Sequence, residues 1–216
     1  MRSIKERFMK SCIHFIRHGI TEGIVNKWYY GNVDLPLIDE GIKELNEFKA
    51  QGIYPDAKNA SCYTSGMLRA NQTFEVIYGN SNYEVIDNLK EISFGDWECK
   101  TFEEIKALEG FELWVNDKSG TFTFPGGDSP LGFYERVSKG LDKLLENHFK
   151  LESTCKANPS GGDATSIAVC HGGVISVCMC QLLKEPKDTF WQWTPKPGRG
   201  YSVYLENGKA VDYKPL

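Results

Sequence analysis

The sequence of 216 residues lacks any long apolar segment and has no large excess of charge of either sign. No run of about 18 apolar residues occurs, so no segment is long enough for a transmembrane helix. Its net charge of −4 gives no general attraction to nucleic acid or to an anionic membrane. We therefore expect neither as a partner, and any bound anion must meet a local cluster of cations.

The seven cysteines include no CxxC pair and do not form an even framework. Several lie in apolar runs, where a free cysteine behaves as a small hydrophobic residue. The N-terminal stretch MRSIKERFMKS also lacks the apolar core of an export signal. These features predict a reduced, cytoplasmic protein.

Short apolar runs alternate with segments whose apolar residues recur at helical spacing, which predicts an α/β fold with a mostly parallel sheet. We predict strands at 12–16, 60–64, 83–86 and 166–170, and helices over about 37–48, 67–78, 101–108, 130–144 and 174–183. Asn207-Gly208 indicates a C-terminal hairpin over about 201–213, and 158–163 has the composition of a loop. We see no linker or repeat, so we expect one domain over 1–216.

Two of the predicted strands end in a histidine that is followed directly by glycine. His18-Gly19 follows the first strand and His171-Gly172 follows the fourth. Ligands of open α/β sheets bind at the carboxyl ends of the strands, so both histidines are expected to face one pocket. The helix after Gly172 would point its free N–H groups at that pocket, as an anion site requires.

Two arginines and a carboxylate occupy comparable places along the chain. Arg17 precedes His18, Arg69 lies one turn inside a predicted helix, and Glu91 follows the strand candidate at 83–86. Guanidinium groups bind phosphoryl oxygens through paired hydrogen bonds. Each residue alone has an ordinary structural explanation as a packed, solvated or ion-paired side chain, but together they favour a phosphoryl site.

These segments resemble the histidine phosphatase superfamily, also called the phosphoglycerate-mutase-like family. The matching motifs are Arg17-His18-Gly19, Arg69 within SxxxRAxQT, Glu91 before FGDWE, and His171-Gly172, in order from about 12 to 183. The resemblance extends to its small bacterial α-ribazole phosphatase-like and phosphoglycerate-mutase-like phosphatases. It implies a three-layer α/β/α sandwich and metal-independent hydrolysis of a small phosphorylated metabolite, with no cofactor and with room for a homodimer.

The resemblance also implies a role for each motif residue. His18 would be the nucleophile that forms a phosphohistidine. Arg17, Arg69 and a protonated His171 would hold the phosphoryl oxygens, with help from the N–H groups near Gly172. Glu91 would protonate the leaving oxygen and later deprotonate the attacking water.

One position departs from the family pattern, which reads RHGxTExN in many relatives. Ile24 stands where the pattern has an asparagine that touches the phosphate, and Asn26 follows two residues later. Either Asn26 reaches the site through a shifted loop or that contact is missing. Tyr30 and Gly31 match a part of the pattern that lines the substrate entrance.

Two further groups are weaker candidates. Asp128 lies in a PGGDS segment that resembles a family loop, and Arg199 lies in a PGRG loop. Several aromatic residues could surround an apolar or heterocyclic leaving group, although core or surface packing explains most of them better: Trp28, Tyr29, Tyr30, Trp97, Phe122, Phe124, Trp191 and Trp193.

Three alternatives remain open. A phosphoglycerate mutase needs cations beyond the phosphoryl pocket, and Arg136 is the single arginine between Glu91 and His171. A non-catalytic phospho-ligand-binding relative would usually have lost His18 or Glu91. A metal site of His18, His171 and an acid would lack HxH or HExxH spacing and would place two arginines beside the cation.

Overall fold

The computed structural model describes residues 11–157 and 162–216 of the chain. Within them, a six-stranded sheet has the strand order β3-β2-β4-β1-β5-β6. The strands are β1 (Ser11–Arg17), β2 (Ser61–Thr64), β3 (Glu84–Val85), β4 (Ala164–Cys170), β5 (Gly200–Glu206) and β6 (Lys209–Pro215). The N-terminal stretch 1–10 and residues 158–161 of the predicted loop lie outside the described residues.

The first four strands are mutually parallel, and the last two form an antiparallel addition at one side. β1 and β2 both pair with β4 in parallel, and β3 pairs with β2 in the same sense. β5 runs antiparallel to β1, and it turns into the edge strand β6 at Asn207 and Gly208. The parallel arrangement brings the carboxyl ends of β1, β2 and β4 to one edge, where the predicted site residues follow.

Seven α-helices are found in the described residues, besides three 3-10 helices: α1 (Glu22–Val25), α2 (Asp39–Ala50), α3 (Leu68–Tyr78), α4 (Phe102–Ile105), α5 (Phe111–Val115), α6 (Pro130–Ala157) and α7 (Gly172–Leu183). The predicted capping box at Thr101 and Glu104 is present at the start of α4. That helix ends at Ile105, however, and not at 108 as predicted, because the chain turns before α5 begins. α6 continues well beyond the predicted 144.

The predicted α/β class is confirmed, and the helices cover both faces of the sheet. Along β4, Ala168 and Cys170 pack into the core cluster that includes residues of α6 and α7. Ile167 and Val169 point to the other face, into the cluster that includes residues of α2 and α3. This alternation follows from the period of two in a strand, and it produces the three-layer α/β/α arrangement.

A third cluster, which we call the aromatic cap, is built by the segment 94–124. Trp97, Ile105 and Phe124 are buried at its centre, and partly buried aromatic side chains pack around them, among them Tyr29, Phe94, Phe111, Trp114 and Phe122. Tyr29 belongs to the segment that also carries Tyr30 and Gly31, so the aromatic cap fixes that segment beside the chain that follows Glu91. Across the described ranges, no helix combines the length and apolarity that crossing a bilayer requires.

Candidate active site

His18 lies at the carboxyl end of β1 with its side chain almost fully buried. Its backbone N–H donates to the carbonyl of Cys170 at 3.0 Å. Nδ1 lies 2.8 Å from the carbonyl oxygen of Gly19. A carbonyl only accepts hydrogen bonds, so Nδ1 carries the proton and the lone pair is on Nε2. Burial, followed by the positive charges of Arg69 and Arg17, lowers the pKa of His18 well below 6.5. The imidazole is therefore neutral, as a nucleophile must be.

Arg17 is the last residue of β1, and its guanidinium is held between the backbone of two other segments. One terminal nitrogen, Nη1, donates to the carbonyl of Pro195 at 2.7 Å. A methyl group added to Gly172 would lie 3.3 Å from the guanidinium carbon, so this glycine lets α7 begin directly against Arg17. Nε is buried and has no hydrogen-bond partner among the described residues. The group is therefore positioned but retains donor capacity.

Arg69 lies in the first turn of α3 and is completely buried. Nη2 donates to the carbonyl of Gly31 at 2.8 Å, and Nη1 donates to the carbonyl of Val33 at 3.0 Å. Its Nε donates to Nδ1 of His171 at 3.3 Å. A guanidinium has five N–H donors, and three such bonds leave two of them for a phosphoryl group. The fork is thus aimed by backbone carbonyls before any ligand arrives.

His171 is fully buried and closes the far side of the cluster, with its ring centroid 5.2 Å from that of His18. Since Nδ1 accepts from Arg69, the proton is on Nε2, which lies 2.8 Å from the hydroxyl oxygen of Ser65. Burial and the positive charge of Arg69 lower its pKa well below 6.5. His171 is therefore neutral without a bound anion, and its role as a protonated third cation stays a prediction for the complex with a phosphoryl group.

Glu91 reaches the same cluster from the segment that follows β3. Its Oε2 accepts from the backbone N–H of Gly173 at 2.9 Å, and Oε1 accepts from that of Ile92 at 3.1 Å. A Cβ atom at Gly173 would lie 2.5 Å from Oε1, so only glycine leaves room for this carboxylate. The first two residues of α7 thus contact both groups: Gly172 packs against Arg17, and Gly173 donates to Glu91.

Arg136 and Asp128 lie behind Glu91 and not among the phosphoryl-binding groups. Arg136 donates to the carbonyls of Lys90 at 2.7 Å and of Glu91 at 3.0 Å, and to Asp128 at 3.0 Å. Asp128 also accepts from the backbone N–H of Ser93 at 3.0 Å. The pair braces the segment that carries Glu91.

Tyr30 and Gly31 line the cluster in different ways. The Tyr30 ring lies over the Arg69 guanidinium at 5.0 Å, and its hydroxyl lies 2.5 Å from that of Thr21. The ring occupies space that a side chain at Gly23 would fill, since a Cβ there would lie 2.5 Å from a ring carbon. The carbonyl of Gly31 faces Arg69.

Ile24, which stands where the family pattern has an asparagine, and the nearby Asn26 have different surroundings. Asn26 is exposed at the end of α1, whereas Ile24 is partly buried. This exposure gives no support to the alternative in which Asn26 replaces the missing amide contact.

Most of the weaker candidates have packing roles. Arg199 lies over the Phe48 ring at 4.5 Å. Trp97, Phe122 and Phe124 belong to the aromatic cap, and Trp193 packs edge-on against Tyr201. Packing therefore explains these aromatic residues, as the sequence analysis favoured, whereas Trp191 is 79% exposed.

Sequence reasoning missed the partners that orient the cluster. Thr73 accepts from the N–H of Gly19 at 2.9 Å and donates to the carbonyl of Arg69 at 2.7 Å. Ser65 holds His171, as described above. Ser65 and Thr73 are the first and last residues of the SxxxRAxQT motif. The motif therefore included them, but the sequence did not show that they orient His171 and Arg69. In the described ranges, no group of three or more His, Cys, Asp or Glu side chains could hold a metal ion.

Comparison with known proteins agrees with this arrangement. The profile of the histidine phosphatase superfamily (branch 1) matches residues 13–211. An adenosylcobalamin/alpha-ribazole phosphatase of Escherichia coli is 24% identical over 191 residues, covering 85% of this chain and 84% of that protein.

Two solved structures show the same fold. An alpha-ribazole-5'-P phosphatase structure from Escherichia coli has a TM-score of 0.77 at 21% identity, with 93% of each chain covered. The phosphoserine phosphatase of Entamoeba histolytica, in complex with 3-phosphoglyceric acid, has a TM-score of 0.68 at 26% identity, also with 93% of each chain covered.

Proposed function

Because the chain belongs to the histidine phosphatase superfamily (branch 1), we propose that it hydrolyses phosphate monoesters through a phosphohistidine formed on His18. The observation that carries the proposal is the hydrogen bond from Nδ1 of His18 to the carbonyl of Gly19. That bond leaves the lone pair on Nε2, in a neutral ring whose neighbours include two guanidinium groups. A phosphorus atom bound there meets a nucleophile and charge stabilisation together.

In the first step, Nε2 of His18 forms a bond to phosphorus while the ester P–O bond breaks. The leaving oxygen takes a proton from Glu91, and the alcohol departs. In the second step a water molecule attacks the phosphohistidine, Glu91 takes its proton, and the P–N bond breaks to release inorganic phosphate. Phosphoryl transfer depends mainly on positioning and charge stabilisation, and Arg17 and Arg69 supply both.

His171 and Gly172 complete the binding site in this proposal. A phosphoryl dianion placed beside a neutral imidazole favours its protonation, so His171 would gain its proton when the substrate binds. The N–H groups at the start of α7, apart from that of Gly173, which donates to Glu91, have the orientation that favours an anion. The Tyr30 ring, which lies over the Arg69 guanidinium, adds a neutral group to the site.

Hydrolysis is better supported than the mutase reaction. A mutase must hold a second phosphate and a carboxylate, but Arg136 already donates to backbone carbonyls and to Asp128. Among similar proteins, two are named for the hydrolysis of small phosphate esters, which supports a small phosphorylated metabolite as substrate. A non-catalytic role is disfavoured because His18 and Glu91 are both present.

We also propose that the protein functions in the cytoplasm. All seven cysteines are free, and five of them are buried, as suits a reducing compartment. Homodimer formation stays a prediction from the sequence.

The test is hydrolysis of p-nitrophenyl phosphate in excess EDTA by the wild type and by His18→Ala. We expect metal-independent hydrolysis that falls by about 10³-fold or more in the variant, because the nucleophile is gone. His14→Gln, on the same strand but bonded to Ser202, is the matched control and should retain activity. An inactive wild type would overturn the proposal, and activity surviving in His18→Ala would mean that another group is the nucleophile.

A further inference from the structure

The carboxylate of Glu98 accepts hydrogen bonds from four backbone N–H groups. Oε1 accepts from Asn32 at 2.6 Å, from Gly31 at 3.2 Å and from Phe94 at 3.1 Å, and Oε2 accepts from Val33 at 2.6 Å. Three of these donors are consecutive residues, which we call the 31–33 loop. Such a convergence of donors fits an anion, since a carboxylate has only acceptor sites.

The opposite side of the 31–33 loop holds the phosphoryl-binding guanidinium. The carbonyls of Gly31 and Val33 accept from Nη2 and Nη1 of Arg69 at 2.8 and 3.0 Å. The 31–33 loop therefore donates its N–H groups to Glu98 on one side and presents two of its carbonyls to Arg69 on the other. Arg69 is completely buried, and beyond these two carbonyls its fork has a longer ion pair of 3.8 Å from Nη1 to the partly exposed carboxylate of Asp34.

Glu98 also joins this loop to the segment of Glu91. The bond from Phe94 belongs to the chain three residues after Glu91, and a Cβ atom at Gly31 would lie 1.6 Å from the carbonyl oxygen of Ile92. Just before Glu98, Trp97 is buried in the aromatic cap. Burial of Trp97 in the aromatic cap thus fixes the backbone next to Glu98. The carboxylate of Glu98 accepts hydrogen bonds both from the 31–33 loop and from the segment that follows Glu91.

We propose that Glu98 is a positioning residue that fixes the 31–33 loop and, through its carbonyls, the orientation of Arg69 toward the phosphoryl group. The inference rests on the proposed function but assigns no chemical step to Glu98. Its carboxylate acts through the loop and not on the reacting atoms. An amide at this position would present an NH₂ group to N–H donors, so a glutamine cannot replace all four bonds.

The test compares Glu98→Gln with Asp96→Asn, an exposed carboxylate two residues earlier in the same segment. Inorganic phosphate affinity is measured by calorimetry, together with kcat and KM for p-nitrophenyl phosphate and the thermal midpoint. In Glu98→Gln we expect phosphate Kd and KM to rise about tenfold, as when one charge-assisted hydrogen bond is weakened. Asp96→Asn should match the wild type.

A double-mutant cycle with Arg69→Lys identifies the route of the effect. If Glu98 acts through Arg69, Glu98→Gln should cost less than about twofold more in the Arg69→Lys background. Losses that multiply fully, or a folded Glu98→Gln with wild-type phosphate Kd, would overturn the inference. If Glu98→Gln does not fold, Glu98→Asp keeps the charge one methylene short, and wild-type phosphate affinity there would overturn it equally.

The two proposals fail in distinguishable ways. A wild type that binds phosphate but does not hydrolyse the ester contradicts the proposed function, and the calorimetric comparison still tests Glu98. An active wild type whose Glu98 variants bind phosphate normally contradicts only the role of Glu98.

Discussion

Arg69 donates from Nε to Nδ1 of His171 across 3.3 Å, and this contact fixes the charge of the imidazole. An atom that accepts a hydrogen bond from a guanidinium carries no proton, so His171 is neutral beside two arginines. Without a bound anion, Arg17 and Arg69 therefore carry the positive charge of the cluster. The other histidines are also in surroundings that disfavour the imidazolium ion.

We expect the four histidines to make folding sensitive to mild acid. Burial lowers the pKa of His14 to about 4 and lowers that of His148. The pKa values of His18 and His171 lie well below 6.5, as described above. Histidines of the unfolded chain bind protons near pH 6.5, whereas those of the folded protein do so only at lower pH. The free energy of unfolding is therefore highest above pH 6.5 and decreases as the pH falls below it.

The free energy of unfolding should decrease by about 1.4 kcal/mol per pH unit for each of His14, His18 and His171 once the pH is below 6.5, and His148 should add to the decrease in the same direction. Urea unfolding at pH 7 and pH 5.5 measures the change, and His148→Gln should make it shallower. NMR of the imidazole carbons of His14, His18 and His171 should show no titration between these pH values in the folded protein. A histidine that titrates near 6.5 would contradict the expectation for that residue.

We expect Glu91→Gln to affect poor leaving groups most. A p-nitrophenolate ion leaves without a proton, whereas an alkyl alcohol requires one. The value of kcat/KM, which reports the steps up to phosphohistidine formation, should fall about 10²-fold or more for an alkyl phosphate and much less for p-nitrophenyl phosphate. Glu103→Gln, an exposed glutamate paired with Lys106, is the control. Equal losses for the two esters would show that Glu91 is not the proton donor.

We expect Gly173→Ala to impair the reaction without unfolding the protein. The new methyl group would lie 2.5 Å from Oε1 of Glu91 and must displace the carboxylate. Hydrolysis of an alkyl phosphate should fall about tenfold or more. Alanine is favoured over glycine within a helix by about 1 kcal/mol, so the thermal midpoint should hold.

Gly162→Ala provides the control for this substitution, because a Cβ there meets no atom of the described residues within 4 Å. It should leave both the rate and the thermal midpoint unchanged. If Gly173→Ala hydrolyses alkyl phosphates at the wild-type rate, then the observed position of Glu91 is not the one that the reaction requires.

The alternation of short apolar strands and amphipathic helices was sufficient to predict the α/β class. Within a strand, side chains point alternately to the two faces of the sheet, which places Ala168 and Cys170 of β4 on one face and Ile167 and Val169 on the other. The division of 101–115 into α4 and α5 was not predicted, because both helices are too short for periodicity to define. They depend on the aromatic cap for their packing.

The sequence by itself determined which groups stand at the strand ends, because His18, His171 and Arg17 directly adjoin the strands that carry them. Tertiary structure decided what each group does with its hydrogen bonds. The bond that makes His171 neutral, the bonds of Arg136 to the carbonyls of Lys90 and Glu91, and three of the four bonds to Glu98 join residues far apart in the chain. The physical reason is that charge and orientation depend on the partners of a side chain, and folding alone brings those partners together.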